Sequence, residues 1–270
     1  MIRLVASDLD FTLMNDSREI SDYTKGVLSK IMKKGIHFIP CSAREWIEIP
    51  TWLKENKNIP FIICENGAVI MDNRTEKSLI EHKMPKTKVL ELMGTLKGIN
   101  EYWTIMIDGV YYSSKKILED AKKLDIFSGY LHHILEKRVL LDDYVELVEK
   151  NDGLTKIHYM TPTLELKKRT QDSLVKIPDI TLVSSHIKNI EITNSASTKG
   201  QALAYVGGLL DVSASEMLAF GDNVNDLSML EFAKYAFVPA NAEIELKEKI
   251  TTLPWSNDED GIARKIVEMV

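Results

Sequence analysis

Two aspartates, Asp8 and Asp10, stand one residue apart directly after an apolar run, residues 2–6, which only Arg3 interrupts. Such a run is typical of a strand buried inside a parallel sheet, so the pair marks the carboxyl end of that strand. In an extended chain alternate side chains point to the same side, and the two carboxylates would share one small volume. Both stay ionised only beside a cation; otherwise the pKa of one of them is strongly raised. The pair therefore predicts a metal ion, a basic neighbour or a shared proton, unless both are solvated turn residues.

Polar side chains also follow two other predicted strands. The segment "IPCSAR" places Ser42 and Arg44 after one strand, and "LAFGDNVNDLSML" places acids and amides after another, namely Asp222, Asn223, Asn225 and Asp226. In "NSASTKGQ", Lys199 stands at the start of a predicted helix, a position suited to anions. Ligands bind beyond the carboxyl ends of the strands in open α/β sheets, so we expect these segments to converge on one crevice.

These residue types match phosphoryl transfer assisted by Mg²⁺. Carboxylate oxygens are the hard ligands that Mg²⁺ prefers, while a hydroxyl, backbone N–H groups and a lysine can hold phosphate oxygens and neutralise their charge. Dinucleotide-binding and P-loop motifs are absent from the sequence. Cys41 has no arginine at the spacing used by thiol phosphatases and is expected to be a buried thiol.

Two other candidate metal sites are poorly supported. An EF-hand-like spacing of oxygen ligands begins at Asp8, but Leu13 replaces the sharp-turn glycine and a strand precedes it. His132 and His133 are adjacent and would face different sides of a helix, which makes a poor metal pair.

The elements that must position the candidate residues alternate between strand and helix. A helix is predicted over residues 21–34, with Ser21 as its N-cap and Gly35 past its end. Strands at 36–40 and 60–64 flank a helix at 45–54; later strands fall at 217–220 and 235–238, and later helices at 199–206, at 227–234 and from residue 262. This alternation predicts a parallel sheet with right-handed crossovers.

The middle of the chain has a different pattern. Residues 101–114 contain two β-rich runs joined by Asp108 and Gly109, which predicts a hairpin with a type I′ turn. Helices are predicted between residues 115 and 150, then a strand at 155–160, a helix at 164–176 and two strands up to 193. We therefore predict an α+β domain, residues 83–188, inserted into an α/β domain made of residues 1–82 and 189–270. Aromatic rings of the insertion are expected in its core or stacked on a ligand: Tyr102, Trp103, Tyr111, Tyr112 and Tyr130.

Composition excludes several classes of partner. The chain has 270 residues, 44% of them hydrophobic, and a net charge of -6 without a long basic block. We therefore expect neither nucleic acid nor an anionic membrane as a partner. Without a signal-peptide pattern or a membrane-length apolar run, the protein is expected to be cytoplasmic, with Cys41 and Cys64 reduced.

Four short motifs resemble those of a known enzyme superfamily. "DLDFT", "SAR", the lysine of "TKG" and "GDNVND" are similar, in order and spacing, to motifs one to four of the haloacid dehalogenase superfamily. The insertion between "ENGA" and Lys199 resembles that of the Cof-like, type IIB-capped sugar-phosphate phosphatases, and "ENGA", "PANA" and "DGIA" resemble accessory motifs of that subfamily. The resemblance implies a Rossmann-like, doubly wound parallel-sheet core with an inserted α+β cap.

The resemblance also implies a mechanism and roles. Asp8 would attack phosphorus and form an aspartyl-phosphate, and Asp10 would protonate the leaving oxygen and then deprotonate the hydrolytic water. Mg²⁺ would be held by the side chains of Asp8 and Asp222 and the carbonyl of Asp10, with Asp226 as a nearby further acid. The phosphate and the substrate would be bound by Ser42, Ala43, Arg44, Lys199 and Asn225.

Phe11 departs from the family pattern, because glycine is frequent at this position. Glycine there would allow unusual dihedral angles and an open approach to the site. We expect Phe11 either to restrict substrate size or simply to fill a gap.

The expected activity is Mg²⁺-dependent hydrolysis of a small phosphorylated metabolite, such as a sugar phosphate or a related cofactor. Two alternatives stay open, a phosphomutase on the same scaffold and a phosphometabolite-binding regulator without turnover. The sequence leaves the natural substrate and the oligomeric state undetermined, because specificity depends on side chains whose positions it does not reveal.

Overall fold

The chain folds into two compact units, and the computed structural model describes residues 1–99, 102–108, 110–120, 138–185 and 187–270. Unit 1 combines Met1–Glu81 with Ser197–Val270, and unit 2 is His82–Ala196. No helix among the described residues is both long enough and apolar enough to cross a membrane.

The described strands and helices are numbered in chain order. The strands are β1 (Leu4–Ser7), β2 (His37–Pro40), β3 (Phe61–Cys64), β4 (Val69–Asp72), β5 (Lys77–Glu81), β6 (Met84–Pro85), β7 (Trp103–Ile107), β8 (Val110–Ser114), β9 (Arg138–Leu141), β10 (Gly153–Leu154), β11 (Lys156–Met160), β12 (Ile180–Val183), β13 (Asn189–Asn194), β14 (Met217–Phe220), β15 (Tyr235–Val238) and β16 (Thr251–Thr252). The α-helices are α1 (Asp22–Lys33), α2 (Thr51–Glu55), α3 (Lys86–Lys97), α4 (Lys116–Glu119), α5 (Val145–Glu149), α6 (Leu164–Leu174), α7 (Lys199–Leu209), α8 (Leu227–Phe232), α9 (Ile244–Lys247) and α10 (Gly261–Met269).

A parallel five-stranded sheet forms the centre of unit 1, in the order β16-β15-β14-β1-β2. All four residues of β1 are buried, because apolar side chains cover both faces of the sheet. Val5 packs in the cluster on one face, with Phe38 and Phe220, whereas Leu4 and Ala6 pack in the cluster on the other. The predicted α/β class with a doubly wound parallel sheet is confirmed.

Beyond β2 the pairing of the strands changes from parallel to antiparallel. A single parallel bridge, Cys41 to Ile63, connects the sheet to β3, which continues into an antiparallel meander of β3, β4 and β5. The chain reverses between β3 and β4 through a short turn at Glu65–Gly67.

Helix ends in unit 1 follow local chemistry. The hydroxyl of Ser21 caps α1 by accepting the N–H of Thr24 at 3.0 Å, as predicted. The single helix predicted at 45–54 is wrong: a 3₁₀ turn at Trp46–Glu48 is separated from α2 by Pro50. Proline lacks the N–H that a continuous helix needs and restricts the residue before it.

Unit 2 contains a six-stranded sheet in the order β12-β13-β11-β7-β8-β9, antiparallel except between β8 and β9. Strands β7 and β8 form the predicted hairpin, with Ile107 opposite Val110. Asp108 has the left-handed φ of 51° that a tight turn requires, while Gly109 lies outside the described residues. One face of the sheet packs against α3 and α6 through a core that includes Trp103.

Two expectations for unit 2 are wrong. Residues 138–141 form β9 rather than part of a helix, because they pair with β8. Residues 121–137 of the predicted helical stretch, with Tyr130, His132 and His133, lie outside the described residues. The unit also ends at Ala196 instead of residue 188, because β13 pairs with both β11 and β12. Helix α3 is an element that the sequence pattern did not reveal.

Candidate active site

Asp8 lies immediately beyond β1, where its N–H donates to the carbonyl of Phe220 at 2.9 Å and extends the pairing with β14. Beyond Asp8 the chain turns over Leu9–Leu13, but both aspartates keep extended backbone angles, with φ of -62° and ψ of 164° at Asp8 and φ of -68° and ψ of 129° at Asp10. Inside this turn Phe11 adopts a left-handed φ of 56°. Asp8 and Asp10 meet different partners, Lys199 and Arg44 respectively.

Lys199, at the first position of α7, is the cation beside Asp8. Its Nζ donates to Oδ1 of Asp8 and to Oδ1 of Asp226, each at 2.6 Å, and the side chain is fully buried. Burial by itself lowers the pKa of Lys199, but the two carboxylates outweigh it and raise this pKa above its ordinary value. Lys199 is therefore a permanent positive charge in the cluster.

The carboxylates around Lys199 carry more charge than it neutralises. Burial, followed by repulsion from Asp226 and Asp222, raises the pKa of Asp8 although Lys199 lowers it. Burial and Asp226 raise the pKa of Asp222 to about 7, although its Oδ1 accepts a 2.5 Å hydrogen bond from the hydroxyl of Thr12. A proton or a further cation is needed to balance these acids.

Contacts with the backbone fix the orientation of the Asp226 carboxylate. Oδ2 of Asp226 accepts the N–H groups of Asp222 at 3.0 Å and Asn223 at 3.1 Å. A side chain at Gly221 would place its Cβ 2.4 Å from Cβ of Asp226, so the close approach requires glycine.

The donor set fits a divalent, oxygen-preferring cation. One carboxylate oxygen each of Asp8, Asp222 and Asp226 lies within 4.8 Å of the others. Three carboxylates against one ammonium leave two negative charges, which such a cation would balance. Both oxygens of Asp226 already accept hydrogen bonds, so Asp8 and Asp222 are the better placed ligands.

Asp10 belongs to a separate ion pair. Its two oxygens accept a bidentate contact from Nε and Nη2 of Arg44, each at 2.7 Å, and Nη1 of Arg44 also donates to the carbonyl of Glu48 at 2.9 Å. Burial lowers the pKa of Arg44, but the bonds to Asp10 outweigh it and raise this pKa. Sequence reasoning proposed Arg44 for the substrate and a basic neighbour as one option for the aspartate pair, without identifying Arg44 as the neighbour of Asp10.

Ser42 and Ala43 occupy the loop that follows β2, the strand next to β1. Ser42 is buried; its N–H donates to the carbonyl of Ile63 at 2.8 Å, and its Oγ accepts the N–H of Arg44 at 3.1 Å. Ala43 is half-buried in the same loop.

Asn225 is buried between the acids of its loop, and its Nδ2 donates to Oδ1 of Asn66 at 3.0 Å. Thr12 and Asn66 are polar partners to which sequence reasoning gave no part in the site. Both residues belong to sequence motifs, Thr12 to "DLDFT" and Asn66 to "ENGA", and this membership could have marked them as candidates. A motif does not reveal which atoms lie within hydrogen-bond distance of each other.

Phe11 and Cys41 are the two remaining residues for which the sequence analysis stated an expectation. The Phe11 side chain is 47% exposed, so it fills no gap, and its carbonyl accepts Nδ2 of Asn241 at 2.8 Å. Cys41 is buried, as expected, and burial raises the pKa of its thiol, which suppresses the thiolate that nucleophilic attack requires.

The chain matches the family described as haloacid dehalogenase-like hydrolase over residues 5–266. Phosphatase YwpJ of Bacillus subtilis is 24% identical over 291 aligned residues, covering 100% of both chains. The 5-amino-6-(5-phospho-D-ribitylamino)uracil phosphatase YwtE of the same organism is also 24% identical, covering 100% of this chain and 98% of its own. A solved haloacid dehalogenase-like hydrolase from B. subtilis has a TM-score of 0.85 and 25% identity, with 100% of both chains covered.

Proposed function

The chain belongs to the haloacid dehalogenase-like hydrolase family and is a phosphatase, and from this premise we propose a Mg²⁺-dependent hydrolysis of a small phosphorylated metabolite through an aspartyl-phosphate. The proposal rests chiefly on the contact between Lys199 and Asp8, which holds a carboxylate ready at the end of β1. YwtE is named for an ester of a ribityl chain, which favours a sugar phosphate or a related cofactor as the substrate class.

Asp8 is the proposed nucleophile. Its free carboxylate oxygen attacks phosphorus, the bond from phosphorus to the ester oxygen breaks, and the phosphoryl group is carried as an acyl phosphate. Lys199 orients the attacking carboxylate through Oδ1 and offsets negative charge on the phosphoryl oxygens. Asp226, bonded to the same ammonium, keeps Lys199 in place.

Asp10 is the proposed general acid and base. It donates a proton to the departing ester oxygen and later takes one from the water that cleaves the acyl phosphate. The bidentate contact with Arg44 holds the Asp10 carboxylate in one orientation. Proton delivery requires this contact to loosen, and the partial exposure of both side chains permits that.

Mg²⁺, bound by Asp8, Asp222 and the carbonyl of Asp10 with Asp226 nearby, would supply Lewis-acid stabilisation of the phosphoryl charge. Ser42 and Asn225, with Ala43 and Arg44, bind and orient the phosphate end of the substrate. We also propose that unit 2 supplies substrate specificity, as the inserted cap of this family would.

The first test is phosphate release from an aryl phosphate and a panel of sugar phosphates, with and without Mg²⁺. We expect Mg²⁺-dependent turnover that Asp8→Asn lowers by about 10⁴-fold or more, because the amide cannot act as the nucleophile. Asp211→Asn, an exposed aspartate of unit 1, is the matched control. Activity that survives in Asp8→Asn would exclude the aspartyl-phosphate. Phosphate accumulating on a second hydroxyl would favour a phosphomutase, and tight binding without turnover a regulator.

A further inference from the structure

The turn at Glu65–Gly67 has an unusual backbone for a buried segment. Its three residues all have left-handed φ angles, 51°, 57° and 96°, and two of them carry side chains. Both side chains are almost completely buried, Glu65 at 4% and Asn66 at 1% exposure. Consecutive left-handed residues are sterically unfavourable, so contacts with the surrounding structure must hold this turn in place.

The first set of contacts joins the turn to the loop after β2. The N–H of Asn66 donates to the carbonyl of Ser42, and the N–H of Glu65 donates to the carbonyl of Arg44, each at 3.0 Å. Both acceptors flank Ala43, in the loop assigned to the phosphate. The turn therefore fixes the backbone from which the Ser42 hydroxyl projects.

A second contact reaches the loop after β14. Oδ1 of Asn66 accepts Nδ2 of Asn225 at 3.0 Å in a buried hydrogen bond that spans 159 residues of sequence. This bond uses one donor of the Asn225 amide and so sets the direction of the remaining amide atoms. Asn225 immediately precedes Asp226, which bonds to Lys199.

The third contact is with the start of α7. A Cβ added to Gly67 would lie 2.4 Å from the carbonyl oxygen of Thr198, so the two backbones touch. Thr198 caps α7 through its hydroxyl, and Lys199 is the first residue of that helix. One turn thus contacts three segments that each carry a proposed site residue.

We propose that Asn66 is a positioning residue for the phosphatase reaction, holding Ser42 and Asn225 at their working separation through one backbone and one side-chain hydrogen bond. This inference rests on the proposed function. Asparagine suits the place because it adopts left-handed φ at lower cost than other residues with side chains and still presents an amide oxygen.

Asn66→Gly separates the two properties of the residue. Glycine keeps the left-handed backbone and the N–H that binds Ser42 but removes the acceptor of Asn225. We expect kcat to fall by about 10- to 100-fold, because a small misplacement of binding groups weakens the transition state strongly. Asp211→Gly, the same exchange toward glycine at an exposed position with φ of 53°, is the matched control and should keep wild-type kcat.

A double-mutant cycle with Asn225→Ala distinguishes positioning from general damage. If Asn66 acts through Asn225, then Asn66→Gly combined with Asn225→Ala should lower kcat by no more than about threefold beyond Asn225→Ala alone. If the loss of kcat in the double variant equals the product of the losses in the two single variants, the inference is overturned. A wild-type kcat in Asn66→Gly would overturn it as well.

Calorimetric titration with inorganic phosphate in MgCl₂ provides a readout without turnover. We expect about a tenfold loss of phosphate affinity in Asn66→Gly and none in Asp211→Gly, whereas equal affinities in all three proteins would overturn the role. If the wild-type protein cleaves no ester, the proposed function fails by itself, and this titration still decides whether Asn66 organises a phosphate site.

Discussion

The cluster around Lys199 and the Asp10–Arg44 pair differ most in their access to water. Lys199 and Asp226 are fully buried, whereas the side chains of Arg44 and Asp10 are 20% and 34% exposed. Charges in a dry environment interact strongly and cannot be left unpaired, while water weakens and replaces the contacts of exposed charges. The first group is therefore suited to a fixed role, and the second to a contact that opens and reforms.

The difference in access to water also distinguishes the two aspartates, Asp8 and Asp10, which are one residue apart in the sequence. Asp8 needs a constant orientation toward phosphorus, and buried Lys199 provides it. Asp10 must gain and lose a proton in each cycle, which suits a position with access to solvent.

The strongest test of the comparison removes each cation in turn. Lys199→Met should lower the free energy of unfolding by about 3–5 kcal/mol in EDTA, because the acids it contacts stay buried without their ammonium. Arg44→Met should cost about 1 kcal/mol or less, because water can solvate Asp10. Urea unfolding followed by tryptophan fluorescence reports mainly on unit 1, which contains three of the four tryptophans, Trp46, Trp52 and Trp255. Equal losses in the two variants would break the comparison.

A second test uses the acidity of the buried cluster. The pKa of Asp222 is raised from 3.8 to about 7 without metal, so the folded protein holds more protons than the unfolded chain between these values. The stability of the metal-free protein should therefore fall as the pH rises through this window. Mg²⁺ must displace the proton, so its affinity should fall about tenfold per pH unit below 7.

The thermal midpoint of unfolding in EDTA and in MgCl₂, from pH 5 to pH 8, measures both effects. The stabilisation by Mg²⁺ should be largest at pH 8. Asp222→Asn is the control, since position 222 can then no longer titrate and the protein should lose the part of the pH dependence that Asp222 contributes. A shift produced by Mg²⁺ that is the same at pH 5 and pH 8 would argue against a metal at these acids.

The smallest expected effect concerns Phe11, which follows Asp10 in the turn after β1. Phe11→Gly should change the free energy of unfolding by no more than about 1 kcal/mol, because relief of the left-handed φ offsets the greater freedom of the unfolded chain. We expect it to raise kcat/KM for large phosphate esters a few-fold relative to small ones. An unchanged ranking of esters would show that the exposed ring does not restrict substrate size.

Much of the fold could be predicted from local pattern. The buried strand β14 is entirely apolar, β1 is apolar except for Ser7, and Ser21 marks the start of α1, so these elements were located to within a few residues. Strand β9 was missed because its pairing with β8 depends on residues distant in sequence. Pairing partners override local propensity in short segments.

For the site, the sequence by itself determined which side chains are available: the spacing of its motifs at strand ends selected the acids, the lysine and the serine. It could not determine which of them pair, since hydrogen bonds form between atoms a few ångströms apart, whatever their separation in sequence. Only the tertiary structure placed Lys199 between Asp8 and Asp226, turned Asp10 toward Arg44 and joined Asn66 to Asn225. The physical reason is that the spacing of Asp8 and Asp10 fixes only their separation along the chain, whereas their cations, Lys199 and Arg44, come from segments 191 and 34 residues away.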